Sequence, residues 1–190
     1  MRLFVAVELA PDVVAAALDL IDRLQAKAAR LAPQARLTWV TADRLHVTVR
    51  FIGHGDERKA DAIKAALGSA LASESFDLTL AGTGAFPPKG PPRVVWAGLT
   101  MGRNRLLAVE RTVSERLTHV GVAPEDRPYN PHLTLARVRE AAGLRAASLL
   151  DGVSEVVLGV TQVDAITLFE SRLSPKGPTY VALHRTALRP

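Results

Sequence analysis

The segment Leu45-His46-Val47-Thr48-Val49 is written twice in this chain, returning as Pro131-His132-Leu133-Thr134-Leu135. Each copy runs histidine, apolar, threonine, apolar. Successive side chains of a β-strand point to opposite faces. His46 and Thr48 are therefore expected on one face, with Leu45, Val47, Val49 and Phe51 on the other. The same alternation sets His132 beside Thr134 and opposite Leu133 and Leu135. Each strand would bury an apolar side and present an imidazole next to a hydroxyl.

Working outward, Leu3 to Leu9 reads as a buried strand ending at Pro11. An amphipathic helix follows from Pro11 to Leu31, with Val14, Leu18, Ile21 and Leu24 at helical spacing, and it stops at Pro33. Arg36 to Val40 is a short strand, and Thr41-Ala42-Asp43 turns the chain into the first histidine strand, which ends at Gly53-His54-Gly55. A second helix is expected from Asp56 to Ser73, with Ile63, Ala66, Leu67 and Leu71 inward. Phe76 to Leu80 is a strand, Gly82 to Pro92 a Gly/Pro-rich loop, and Arg93 to Gly98 another strand. Asn104 to His119 is a third helix. After the second histidine strand come a short helix over Glu140 to Leu150 and three strands, Glu155 to Val160, Val163 to Glu170 and Thr179 to Leu188. A turn at Ser174-Pro175-Lys176-Gly177-Pro178 joins the last two.

This order is a coarse internal repeat with one histidine strand in each half. It predicts an α+β, bilobal, pseudo-symmetric fold. Two antiparallel-rich sheets would face a central cleft, with helices packed outside. No linker divides the chain, so residues 1–190 are expected to form a single domain. At 190 residues and 48% hydrophobic it is long enough for a well-buried core, and that composition argues against disorder. Nothing approaches a membrane-spanning apolar run, and the opening Met1 to Glu8 lacks the features of a signal peptide. With no cysteine there is no disulfide framework and no thiol nucleophile. The expectation is a cytoplasmic protein, and the net charge of +5 suits a polyanionic partner.

Two imidazoles held across a cleft divide the labour of acid–base chemistry, one taking a proton while the other gives one. Histidine titrates near neutrality, so both forms are accessible. Each threonine hydroxyl, two residues on, is placed to hydrogen-bond an oxygen of whatever lies between them. A phosphodiester fits: non-bridging oxygens for Thr48 and Thr134, attacking and leaving oxygens in line with His46 and His132. The scheme needs no metal and no cofactor. Zinc binding by the pair is the competing reading, but no third ligand sits at a supporting spacing. His54, His119 and His184 have no threonine partner and read as surface or structural residues.

At these residues the chain resembles the two-histidine (2H) phosphoesterases, and within them the bacterial and archaeal RNA 2′,3′-cyclic phosphodiesterases, also known as 2′-5′ RNA ligases. The resemblance runs nearly end to end. It includes Arg2-Leu3-Phe4-Val5-Ala6-Val7, Leu45 to Gly53, Arg93-Val94-Val95-Trp96-Ala97-Gly98, Pro131 to Arg137, and Ser174 to Tyr180. It implies that His132 is the proton acceptor activating water and His46 the proton donor to the leaving 3′ oxygen, yielding a 2′-phosphate. It further implies that Thr48 and Thr134 hold phosphoryl oxygens and that Arg137 binds phosphate. Simple alternation puts Arg137 opposite His132, so it reaches the cleft only if the strand bends near Ala136. Arg50 shares parity with His46 and is the better geometric candidate for substrate binding. Phe86 and Tyr129 read as anchors, with base stacking as their alternative role.

The expected activity is metal-independent hydrolysis of RNA 2′,3′-cyclic phosphate ends by a monomer, with reversible 2′-5′ ligation on the same site. The alternatives are a phosphodiesterase for small cyclic nucleotides or 2′-5′ oligonucleotides and, from a different class, a non-catalytic RNA-binding module. A pure binder needs cations rather than a paired acid and base, which counts against the last.

Overall fold

In the computed structural model, residues 1–174 and 177–189 are described; Pro175 and Lys176, at the centre of the expected turn, lie outside them, as does Pro190. Ten strands share one hydrogen-bonded sheet. In chain order they are β1 (Arg2–Glu8), β2 (Arg36–Trp39), β3 (His46–His54), β4 (Leu71–Glu74), β5 (Phe76–Phe86), β6 (Val94–Leu99), β7 (Leu133–Glu140), β8 (Val157–Val163), β9 (Ala165–Ser174) and β10 (Gly177–Arg189). The helices are α1 (Pro11–Leu31), α2 (Glu57–Ala66), α3 (Arg103–Thr118) and α4 (Ala146–Leu150). None is long and apolar enough to cross a membrane.

The sheet runs β4-β10-β9-β1-β3-β7-β6-β5-β8, with β2 on β7, and every pairing except β10 with β4 is antiparallel. The two expected sheets are thus two halves of one hydrogen-bonded path. Between β3 and β7 the register contains one pair, Val47 opposite Leu133. Past that point β3 and β7 diverge, and β2 takes over the edge of β7, with Trp39 opposite Ala136 and Thr38 opposite Arg137. The split between β3 and β2 opens the cleft.

The halves repeat each other in detail. On one side Val47, Thr48, Arg50 and Phe51 stand opposite Val7, Ala6, Val5 and Phe4. On the other, Leu133, Thr134, Ala136 and Arg137 stand opposite Ala97, Trp96, Val95 and Val94. Each histidine strand carries a bulge directly after its threonine, at Val49/Arg50 and at Leu135/Ala136. A bulge sets two residues against one and turns the following side chains over.

Helix α1 buries Val13, Ala17, Leu20, Ile21, Leu24 and Ala28, a stripe beside the expected one, with Val14 and Leu18 on its margin. Pro11 in its first turn suits a position where no backbone donor is needed. Leu106, Val109, Val113 and Leu117 of α3 are fully buried.

Three local expectations are corrected. Helix α2 ends at Ala66, before Gly68, and the fully buried Leu71 belongs to β4, paired with β10, rather than to the helix. The Gly82 to Phe86 part of the expected loop is strand, continuing β5 against β6. Gly84 fits there because a Cβ would sit 2.2 Å from the Trp96 ring, and Gly82 supplies φ of +75° at the register shift. Finally, β7 runs on to Glu140, and the helix after it begins only at Ala146. Strands β9 and β10 pair as the expected hairpin requires, with Ser174 opposite Gly177.

Candidate active site

His46 opens β3 and His132 immediately precedes β7, so each imidazole sits one residue before the Val47–Leu133 pair. Their local geometry is the same. His46 Nδ1 donates to the Arg44 carbonyl at 2.8 Å, and His132 Nδ1 donates to the Asn130 carbonyl at 2.8 Å. In each case the acceptor lies two residues back. A carbonyl accepts only, so the bond fixes the tautomer with hydrogen on Nδ1 and leaves Nε2 as the basic nitrogen. His46 Nε2 lies 3.1 Å from Thr48 Oγ1.

Aromatic rings enclose both imidazoles. The His46 ring centroid is 4.9 Å from that of Phe4 and 5.3 Å from that of Tyr180, the latter edge-on. His132 has Phe86 edge-on at 5.2 Å and Trp96 at 6.4 Å. This burial pushes the pKa of both histidines below the ordinary 6.5, because a dry surround disfavours the charged form. The bonds to Arg44 and Asn130 carbonyls offset part of that shift. Arg137 depresses both further, and His132 adds to the effect on His46.

A cavity of about 560 Å³ lies on the His46 side of the split. Thr48, Thr134 and Arg137 line it together with His46, as do Arg2, Arg44, Arg139, Trp39, Phe51 and Tyr180. A second cavity, of about 500 Å³, lies on the His132 side between β3, α3 and the 124–130 segment. Thr48 and Phe51 border both.

The two arginine expectations are reversed by the bulges. Arg137 is turned into the cavity with His46 and Thr134, where alternation alone had set it on the far side. Arg50 is turned away from His46 and is only 4% exposed, its guanidinium donating to the Ala123 carbonyl and lying 3.7 Å from Glu125. It borders the cavity next to His132 but is engaged in holding the 123–125 segment, and its placement gives no support to substrate binding. Phe86 packs against His132, and the Tyr129 hydroxyl donates to the Thr48 carbonyl at 2.7 Å, so both act as anchors. His54 ends β3 exposed, His119 bonds the Glu115 carbonyl and His184 the Leu67 carbonyl. Among the described residues no group of three or more His, Cys, Asp or Glu is gathered to hold a metal.

The family profile described as the 2′-5′ RNA ligase superfamily matches residues 10–174. The chain belongs to that superfamily. Curated relatives within it agree with the profile. An RNA 2′,3′-cyclic phosphodiesterase of Aeropyrum pernix is 39% identical over 149 residues, covering 76% of this chain and 82% of the relative. One of Thermus thermophilus is 33% identical over 197 residues, covering all of this chain and 91% of the relative. Among solved structures, Escherichia coli LigT complexed with 3′-AMP superposes with a TM-score of 0.73 at 26% identity, over 98% of this chain and 97% of that one. The superfamily's 2H phosphoesterase fold is therefore the fold described above.

Several cavity residues were not singled out for a site role in the sequence: Tyr180, Arg44, Trp39 and Phe51. Tyr180 comes from β10 and Trp39 from β2. The sheet order sets β10 beyond β9 and β1 from β3, and β2 on β7 across the split, and no local pattern announces either placement.

Proposed function

We propose that this chain is an enzyme that opens 2′,3′-cyclic phosphate ends of RNA to 2′-phosphates. The observation that carries this reading is the matched tethering of two half-buried imidazoles, each with Nδ1–H tied to the carbonyl two residues back. That arrangement gives one site two equivalent basic nitrogens, as an acid and a base need. The names of the curated relatives supply the substrate class.

In this mechanism the cyclic phosphate lies between the imidazoles. Neutral His132 takes a proton from water at Nε2 as the water oxygen bonds to phosphorus. The bond from phosphorus to the 3′ oxygen breaks, and protonated His46 delivers its proton to that oxygen. The product carries a 3′-hydroxyl and a 2′-phosphate, and the pair resets by proton exchange with solvent. Thr48 and Thr134 hydrogen-bond the non-bridging oxygens, and Arg137 balances the charge that grows on them. With an RNA 5′-hydroxyl in place of water, the same step, in which the 5′ oxygen bonds to phosphorus as the bond to the 3′ oxygen breaks, joins ends through a 2′-5′ linkage, and its reverse regenerates the cyclic phosphate and the free 5′-hydroxyl.

Both motifs come from one chain, so a single copy completes the site. We read the working unit as a monomer, residues 1–190 as one bilobal domain, and the RNA-processing role as cytoplasmic. No step calls for a metal or cofactor.

The test is incubation of a short RNA ending in a 2′,3′-cyclic phosphate with the protein in EDTA, followed by identification of the product. A 2′-phosphate supports the reading. A 3′-phosphate reverses the orientation of the substrate, and no turnover on RNA with turnover of small cyclic nucleotides moves the protein to that narrower activity.

A further inference from the structure

A hydrolase needs room for one water beside its base, yet the cavity on the His132 side measures about 500 Å³. A water takes up about 30 Å³ of liquid, whereas pockets for small ligands run from about 300 to 1,000 Å³. His132 and Thr48 line this cavity, so it opens on the catalytic pair. Helix α3 contributes Arg111 and Ser114 to it, and the 124–130 segment contributes Arg127 and Asn130.

The cavity has a fixed wall. At one end of the segment the Arg50 guanidinium donates to the Ala123 carbonyl, and at the other the Tyr129 hydroxyl donates to the Thr48 carbonyl. Pro124 and Pro128 restrict the backbone between these ties. A pocket held open in this way spares its ligand much of the ordering cost of binding.

Its charges are selective. Arg111 and Arg127 are exposed, and among the described residues neither guanidinium has a hydrogen bond or ion pair. Three carboxylates, Glu110, Glu115 and Glu125, line the same cavity. Glu110 accepts from Ser114, and Glu125 lies beside Arg50. Such a mixture is no trough for a run of phosphates, but its two free guanidiniums suit a largely neutral group that carries one phosphate. The in-line step sets the direction of entry. The 3′ oxygen leaves toward His46, so the attacking oxygen comes from the opposite side, where His132 and this cavity lie.

We propose that the His132-side cavity is an acceptor subsite: it seats the first nucleoside of an RNA with a free 5′-hydroxyl, while Arg111 and Arg127 meet the phosphate on that nucleoside's 3′ side. This rests on the cyclic-phosphate reading above and assigns the residues of this chain that favour joining over hydrolysis. In the joining step His132 Nε2 takes the proton of the 5′-hydroxyl as the 5′ oxygen bonds to phosphorus. The bond to the 3′ oxygen breaks, and His46 protonates that oxygen. One proton is taken and one given, and the product is a 2′-5′ diester with a free 3′-hydroxyl. The three carboxylates repel a 5′-phosphorylated end.

The experiment supplies a nucleoside 2′,3′-cyclic phosphate together with the dinucleotide ApA, adenosine or methanol as acceptor. Initial rates of 2′-5′ joining and of hydrolysis are measured for the wild type and for the double variant Arg111→Gln, Arg127→Gln. The joining-to-hydrolysis ratio is expected to saturate with ApA, to exceed that with methanol at equal concentration, and to fall about 5- to 50-fold for ApA in the double variant. The ratios for methanol and for adenosine, neither of which carries a phosphate, are expected to change far less. Joining that never saturates, that is no better with ApA than with methanol, or that is unchanged for ApA in the double variant overturns the subsite. A wild type that neither hydrolyses nor joins overturns the activity reading, and the subsite with it, a result distinct from hydrolysis without acceptor preference.

Discussion

Val47 stands opposite Leu133 at the junction of the two halves of the sheet, and both side chains are fully buried. Each follows a histidine of the pair, so the register of this one contact sets the relation between the imidazoles. Truncating a buried leucine removes apolar area and leaves a cavity, at a cost of about 2–5 kcal/mol. Leu133→Ala is expected to lower the melting temperature and to reduce turnover in protein that is still folded, because the junction is free to shift. Calorimetry alongside steady-state assay checks this; full activity at a lowered melting temperature would show that the contact supports the fold alone.

Arg137 faces the cavity only because of the bulge at Leu135/Ala136, and its charge depresses both histidines. The rate-competent form has one imidazole neutral and one protonated, so kcat/KM peaks between the apparent pKa values of the pair. Burial and Arg137 lower both, which sets the maximum below about 6.5. Replacing Arg137 with Met removes a positive neighbour, makes protonation easier at both rings, and moves the maximum upward while KM rises. A pH series on the two proteins checks the sign, and a maximum that stays in place or moves down contradicts it.

Much of the site was legible because the His-x-Thr alternation survives through the first three residues of each motif. Beyond Thr48 and Thr134 it fails, since a bulge depends on how a neighbouring strand pairs and leaves no mark in local periodicity. Arg50, Phe51 and Arg137 were all misassigned by alternation for this one reason. The Gly82 to Phe86 segment was misread for another. Glycine there serves close approach to Trp96, a contact from a separate strand, while its composition looks like a loop. Leu71 shows a third limit: its apolar spacing continues α2, yet the helix ends at Ala66, before Gly68, and Leu71 pairs with β10 instead.

Arg50 tests the division between binding and support. Its guanidinium bonds the Ala123 carbonyl and sits beside half-exposed Glu125. Arg50→Met keeps much of the side-chain bulk and loses those contacts, at an expected cost of about 1.5–3 kcal/mol. Chemical denaturation measures the loss. A stable variant whose KM for substrate rises sharply would return Arg50 to the binding site.

Gly84→Ala places a methyl group against Trp96, which packs with Phe86 near His132. Overpacking of this kind costs about 1–3 kcal/mol. The displaced indole is expected to change the tryptophan fluorescence spectrum and lower turnover through His132. An unaltered spectrum with unaltered turnover would remove Trp96 from the support of that histidine.

The central claim is that His46 supplies the proton to the leaving oxygen and His132 takes one from water. The direct measurement compares His46→Ala and His132→Ala on a nucleoside 2′,3′-cyclic phosphate and on its analogue with sulfur in place of the 3′ oxygen. Thiolate leaves without a proton, so His46→Ala should recover most of its lost rate on the sulfur substrate while His132→Ala stays inactive. Recovery in His132→Ala instead would exchange the two roles, and no recovery in either would contradict the division of labour itself.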